Sequence, residues 1–166
     1  MFIAHIPIGL CLARLVTKRK LTAPIINIAA FGAIFPDLDL LRFYALDNQQ
    51  IHHHAYWTHL PVYWIGIIAI IFIGLKLLRR RLPMYLTVFF TAVMSHLILD
   101  SVAGDIRWLW PFTDEGFQLV TVPTTHTKWY MSFFHHWTFK LEICISILGL
   151  LVAGFNDGHK NPKEPS

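Results

Sequence analysis

The chain has 166 residues, enough for one domain by length. Hydrophobic residues make up 55% and charged residues only 14%, against roughly 25% charged in soluble domains, so there is too little charge to coat a globule and a bilayer is the expected solvent. The formal charge of +4 is modest and forms no basic stripe with interleaved aromatics, which excludes a nucleic-acid partner. Cys11 and Cys144 each fall inside an apolar run and read as small hydrophobes.

In chain order, the first apolar segment runs from about Phe2 to Val16 and stops at Thr17-Lys18-Arg19-Lys20. It lacks a basic region ahead of it and His5 interrupts it early, so it reads as a retained membrane helix rather than a cleavable signal. The second runs from about Leu21 to Phe35 and ends at Pro36-Asp37-Leu38-Asp39, where proline breaks a helix and leaves a turn. The third, Pro61 to Leu78, ends at Arg79-Arg80-Arg81, and the fourth is Met84 to Ala103. The fifth, about Trp129 to Phe155, has a polar first half (His135, His136, Lys140, Glu142) and an apolar second half. Several of these are shorter than the ~20 residues a lone span needs, so they must tilt, thin the bilayer or support one another. The expected fold is all-α: a polytopic membrane helix bundle of about five helices, with an outer loop carrying the site. Residues 1–155 form the membrane-embedded domain, and 156–166 read as a disordered cytoplasmic tail.

Charge placement predicts the topology. Lys18, Arg19, Lys20, Lys76, Arg79, Arg80, Arg81, Lys160 and Lys163 fall at one set of alternate ends, which the positive-inside rule makes cytoplasmic. The N-terminus is then outside and the C-terminus inside. The opposite ends carry Asp37, Asp39, Asp47, Asp100, Asp105, Asp114 and Glu115. His5, His52, His53, His54, His59, His96, His126, His135 and His136 share that outer side, and only His159 in the tail does not. Trp108, Trp110 and Phe112 read as an interfacial belt there.

His96 and Asp100 stand one helical turn apart on one face. Ionisable groups in hydrocarbon cost about 2.5–3.5 kcal/mol each on insertion scales, so the pair must answer to a partner, a water-filled cavity or a metal. Imidazole and carboxylate together suit zinc, and also iron or manganese. The candidate ligands are Asp37, His54 or His59, His96 and Asp100, with His5 read equally as a ligand or an interfacial group. Asp39 and Glu142 are candidate general bases. His135 and Glu142, seven apart, are candidates for a second site, and Arg107 and Lys140 for holding a substrate anion. Each has a plainer reading. Asp-x-Asp also suits a solvated turn, and His54 to His59, with Tyr56 and Trp57, suits an amphipathic interface segment. Arg107 also suits a snorkelling cation. Three consecutive histidines cannot all face one metal, so His52 and His53 read as solvated or supporting groups. His126 is left open.

These pieces, in order, resemble a known family. His5, Pro36-Asp37-Leu38-Asp39, His54-Ala55-Tyr56-Trp57-Thr58-His59, His96-Leu97-Ile98-Leu99-Asp100 and Trp110-Pro111-Phe112 resemble the bacterial membrane-bound metal-dependent hydrolases, whose best-known members are LexA-regulated inner-membrane proteins. One departure is visible: that family's element often reads His-Arg-Gly-x-Thr-His, and here Ala55 and Tyr56 stand for the Arg-Gly pair. More distantly the pattern is similar to zinc-dependent phospholipases C and P1-type nucleases. Those carry a second His-x-x-x-Asp, where this chain has His136 followed by Lys140. The resemblance implies a hydrolase of the bacterial inner membrane using a divalent metal, zinc before manganese or iron. Its substrate would be a phosphoester or lipid-linked molecule, with membrane lipids around it. The competing expectations are a metal or proton transporter using the same residues as a relay, and a structural protein with interfacial histidines. The plain stretches Ile67 to Ile73 and Ile147 to Val152 favour a one-sided enzyme pocket over a transmembrane path.

Overall fold

A computed structural model describes residues 3–47 and 53–154. His52, the side chain of His53 and the expected tail lie outside the described residues. The regular structure of the described residues is helical, with an irregular connection over residues 101–128 that carries one isolated antiparallel bridge between Ile106 and Phe117. Its helices are α1 (His5–Thr17), α2 (Ala23–Ile34), α3 (Asp39–Ala45), α4 (Pro61–Leu77), α5 (Met84–Asp100), α6 (Trp129–His135) and α7 (Trp137–Gly154).

The helix boundaries have local causes. α2 and α4 each follow a residue in extended conformation and carry proline in the first turn, where its missing N–H costs nothing. α1 closes on Lys18 in the left-handed region, φ 53°, whose N–H bonds the Arg14 carbonyl. Pro36 ends α2 as expected, but the chain then makes a 3-10 turn, Pro36–Leu38, and starts α3 at an angle of 58° to α2. The sequence reading had only a turn there. It also had one fifth segment, which the structure divides into α6 and α7 where His136 adopts an extended backbone.

α1, α2, α5 and α7 form the bundle, with α5 packed on both α1 and α2 and with α4 on its flank. One core cluster joins Ala13, Ile25, Ala29 and Val88; a second joins Trp64, Phe90, Val93 and Leu97, with Phe35 and Phe89 against it. Small residues set the spacing. A Cβ on Gly32 would stand 2.7 Å from the Phe89 carbonyl oxygen, and one on Gly9 would stand 2.9 Å from the Ala33 Cβ. Such close backbone approach is how helices associate when lipid removes the hydrophobic drive between them. The outer faces of α4 and α7 are apolar: Ile65, Ile70, Phe72 and Ile73 on one, Ile147, Leu148, Leu150 and Leu151 on the other, all exposed.

Among the described residues, α7, at 18 residues and about 27 Å, is the single helix long and apolar enough to cross a membrane alone. α2 and α3 pass together as a bent pair, while α1, α4 and α5 are shorter apolar helices. The five expected segments are present, but four of them fall short of span length. His5 lies at the start of α1, Asp37 just past α2, His59 just before α4, and His96 and Asp100 in the last turns of α5. These are all at one end of the bundle. The loops with Lys18-Arg19-Lys20 and Arg79-Arg80-Arg81 join the same helices at the other end.

Replacing Gly32 with leucine should force α2 off α5 at a cost of about 1–3 kcal/mol. The readout is a lower midpoint of thermal unfolding in detergent. Gly66→Leu, where a Cβ meets nothing within 4 Å, should leave the midpoint in place.

Candidate metal centre

Two imidazoles are held so that the same ring nitrogen faces the same point. On α5, His96 Nδ1 lies 2.6 Å from the Ala33 carbonyl oxygen of α2. A carbonyl only accepts, so Nδ1 carries the proton and the neutral ring presents a lone pair at Nε2. His59 sits in a 3-10 turn, Trp57–His59, whose Thr58 carbonyl accepts a bond from Trp64 Nε1 at 2.8 Å. Its Nδ1 donates to Asp39 Oδ2 at 2.6 Å, and Thr58 Oγ1 donates to the same oxygen at 2.6 Å. In its neutral form His59 then also presents a lone pair at Nε2. A carboxylate or carbonyl behind an imidazole is the usual way a metal-binding histidine is oriented.

Asp37 and Asp100 complete the cradle. His59 Nε2 and His96 Nε2 are 3.3 Å apart. Asp37 Oδ1 is 3.6 Å from each of them. Asp100 Oδ2 is 2.9 Å from His96 Nε2 and 3.6 Å from His59 Nε2. All four ligand atoms lie within 4.8 Å of one another. A tetrahedral ion with bonds of 2.0–2.1 Å has ligand edges of about 3.3–3.4 Å, and the observed distances straddle that value. Two carboxylates with two neutral imidazoles carry a net charge of −2, which a divalent cation balances. His59, His96 and Asp100 are buried, while the Asp37 side chain is 32% exposed and forms the open side.

The electrostatics follow from this crowding. Burial opposes charge on His59, but Asp100, Asp37 and Asp39 outweigh it and hold its pKa well above the ordinary 6.5. Burial likewise opposes charge on Asp37, and the His59 and His96 rings outweigh it and bring its pKa below the usual carboxylate value.

Two further histidines ring the cradle. His5 Nε2 is 3.3 Å from Asp100 Oδ1, and its ring stacks on His96 with centroids 3.8 Å apart. His54 Nε2 is 3.9 Å from Asp100 Oδ2, with its ring beside His59. Gly104 makes room for it, since a Cβ there would stand 2.5 Å from His54 Cε1. Of His54 and His59, left open by the sequence, His59 is the one in the four-atom cradle.

Other expected site residues have different tasks. Asp39 orients His59 and binds Thr58, both through Oδ2. Glu142 reaches from α7 to the start of α1, where its Oε1 accepts the N–H groups of Ile3 and Ala4 at 2.6 and 3.1 Å. That satisfies amides a helix start leaves without intrahelical partners, and Glu142 is buried where His135 is exposed. His135 instead stacks on His126 and bonds the Met131 carbonyl, with both rings exposed. Arg107 faces Asp114 at 3.6 Å, and Lys140 is exposed on α7. Sequence reasoning missed the Ala33 carbonyl, Thr58, and a latch in which Tyr56 donates its hydroxyl proton to Asp47, which also bonds Arg42. Burial and the Asp47 carboxylate push the Tyr56 phenol up to about 12. Tyr56 stands where the resembling family carries glycine, so this departure ties α3 to the His54–His59 segment.

A family model described as YdjM inner membrane protein matches residues 1–159. The chain belongs to the YdjM inner membrane protein family. It is also similar to inner membrane protein YbcI of Escherichia coli (strain K12), 26% identical over 165 residues, covering 92% of this chain and 94% of the relative. No solved structure matches it. A bacterial inner-membrane family agrees with the location expected from the apolar segments and their charged ends.

The raised His59 pKa has a definite sign. In metal-free protein its proton contributes stability in full below pH 6.5, and that contribution is lost as pH rises through the higher folded value. A divalent ion must displace the same proton. Its affinity should therefore weaken on acidification by about tenfold per pH unit, starting above pH 6.5. Competition with a fluorescent zinc chelator across neutral pH reads this directly, and Asp39→Asn should weaken binding by about 10–100-fold.

Proposed function

We propose that this protein is a multi-pass, metal-dependent hydrolase of the inner membrane. Its site lies at the outer membrane–water interface, and its substrate is a phosphoester or lipid-linked molecule. The observation that carries the reading is the His59–His96 pair, with both Nδ1 atoms bonded elsewhere and both Nε2 atoms turned to one point with Asp37 and Asp100. Zinc suits this donor set best, and manganese or iron share its chemistry. Asp37, His59, His96 and Asp100 would hold the ion, which on taking a fifth ligand would supply a water of lowered pKa, from 15.7 to about 7, and polarise the scissile bond.

The protein's own groups do the rest. Ala33 and Asp39 keep the two rings in the tautomer that binds. Asp37, on the open side, receives the proton of the attacking water at its carboxylate. That proton passes to the departing oxygen, while His5 and His54 stand against Asp100 and hold its carboxylate in place. The apolar core beneath the site, Ala13, Ile25, Ala29 and Val88, supports a one-sided pocket over a conduction path. The basic loops at the opposite bundle end support a cytoplasmic placement there and an outer placement for the site.

Elemental analysis of detergent-purified protein should find stoichiometric divalent metal, lost in His96→Ala and Asp37→Ala. Hydrolysis of bis(p-nitrophenyl) phosphate should fall by about 100-fold or more in both variants. A purified protein without metal, or a His96→Ala variant with unchanged metal and turnover, would overturn the proposal.

A further inference from the structure

The bend between α2 and α3 opens an apolar groove of about 570 Å³ against the metal cradle, lined by Ile34, Asp37, Leu38, Leu41, Tyr44 and Ala45. The groove is open along its length. Its walls are aliphatic and aromatic, and Leu41 and Tyr44 are more than half exposed. Asp37 is the polar side chain among them, and it is also a member of the four-atom cradle. The groove and the cradle therefore meet at one residue. The far end of α3 is tied to the His54–His59 segment by the Arg42–Asp47–Tyr56 latch.

Resting on the hydrolase reading, we infer that this groove seats the hydrocarbon chain of an amphipathic phosphoester whose head group reaches the Asp37 end. A water-soluble ester would leave these apolar walls without a complement. A lipid lying in the interface would bring its chain along α3 and its phosphoester to the cradle in one placement. The groove acts by positioning: a chain already in the bilayer gains little from leaving it, but a held chain fixes the ester relative to the ion. Ordinary bilayer lipid covering α3 is the competing occupant. What favours a substrate seat is the shared Asp37, which carries the groove into the cradle instead of leaving it on the outer face.

The test uses the full chain, metal-loaded, in one detergent, with p-nitrophenyl phosphodiesters of methanol and of octanol. Partitioning into the micelle is common to wild type and variants, so their ratio isolates the groove. Ala45→Trp and Leu41→Trp, both at exposed positions that tolerate bulk, should lower kcat/KM for the octyl ester by about tenfold or more and change the methyl ester by less than about twofold. Equal losses on both esters, or none on the octyl ester, would overturn the inference while leaving the hydrolase reading intact. Should wild type turn over neither ester, the hydrolase reading fails and binding decides the groove. An alkyl phosphate bearing a diazirine should then label residues 34–45 in wild type and not in Ala45→Trp. Labelling elsewhere, or labelling kept in Ala45→Trp, would mark bulk lipid coverage and overturn the seat.

Discussion

The arrangement at the centre of this protein is a concentration of negative charge and lone pairs inside an otherwise apolar bundle. Two carboxylates and two imidazole nitrogens approach to 2.9–3.6 Å of their nearest partners in the cradle. In so apolar a setting each ionised group is expensive. A cation at the shared point converts the repulsion into coordination, and without one a proton on His59 performs part of the same task. Either way the cluster must hold positive charge, and the surrounding fold keeps that point fixed.

The fold does so through backbone closeness. The Ala33 carbonyl can reach His96 because α2 lies almost against α5, which requires Gly32 beneath the Phe89 carbonyl and Gly9 beside Ala33. Pro36 then turns the chain so that Asp37 enters the cradle and Asp39 stands behind His59. Thr58 and Trp64 pin the His59 turn from its own side. Glu142 fastens the start of α1, and with it His5, to α7. Each ligand is thus carried by one element and oriented by another, which makes the site a property of the whole bundle.

The broken helix serves the same arrangement. The turn Pro36–Leu38 brings Asp37 to the cradle, and the short, angled α3 that follows is the element that borders both the cradle and the apolar groove.

Much of this was legible in the residues alone. Composition and the spacing of charged ends implied a helical membrane protein of five apolar segments, because apolar length and charge asymmetry are properties of the chain itself. The Pro-Asp-x-Asp turn and the His-x-x-x-Asp face were visible for the same reason, since a proline break and an i, i+4 pairing are local. What only the tertiary structure decided was division of labour among chemically equal groups. Asp37 and Asp39 differ by two positions, yet one faces the cradle and the other orients His59. His59 was chosen over His54 by the turn that Thr58 and Trp64 hold, and Glu142 was drawn to the backbone of α1 because that helix start needed acceptors. Lone-pair direction depends on which partner takes the opposite nitrogen, and those partners, Ala33 and Asp39, lie 63 and 20 residues away along the chain.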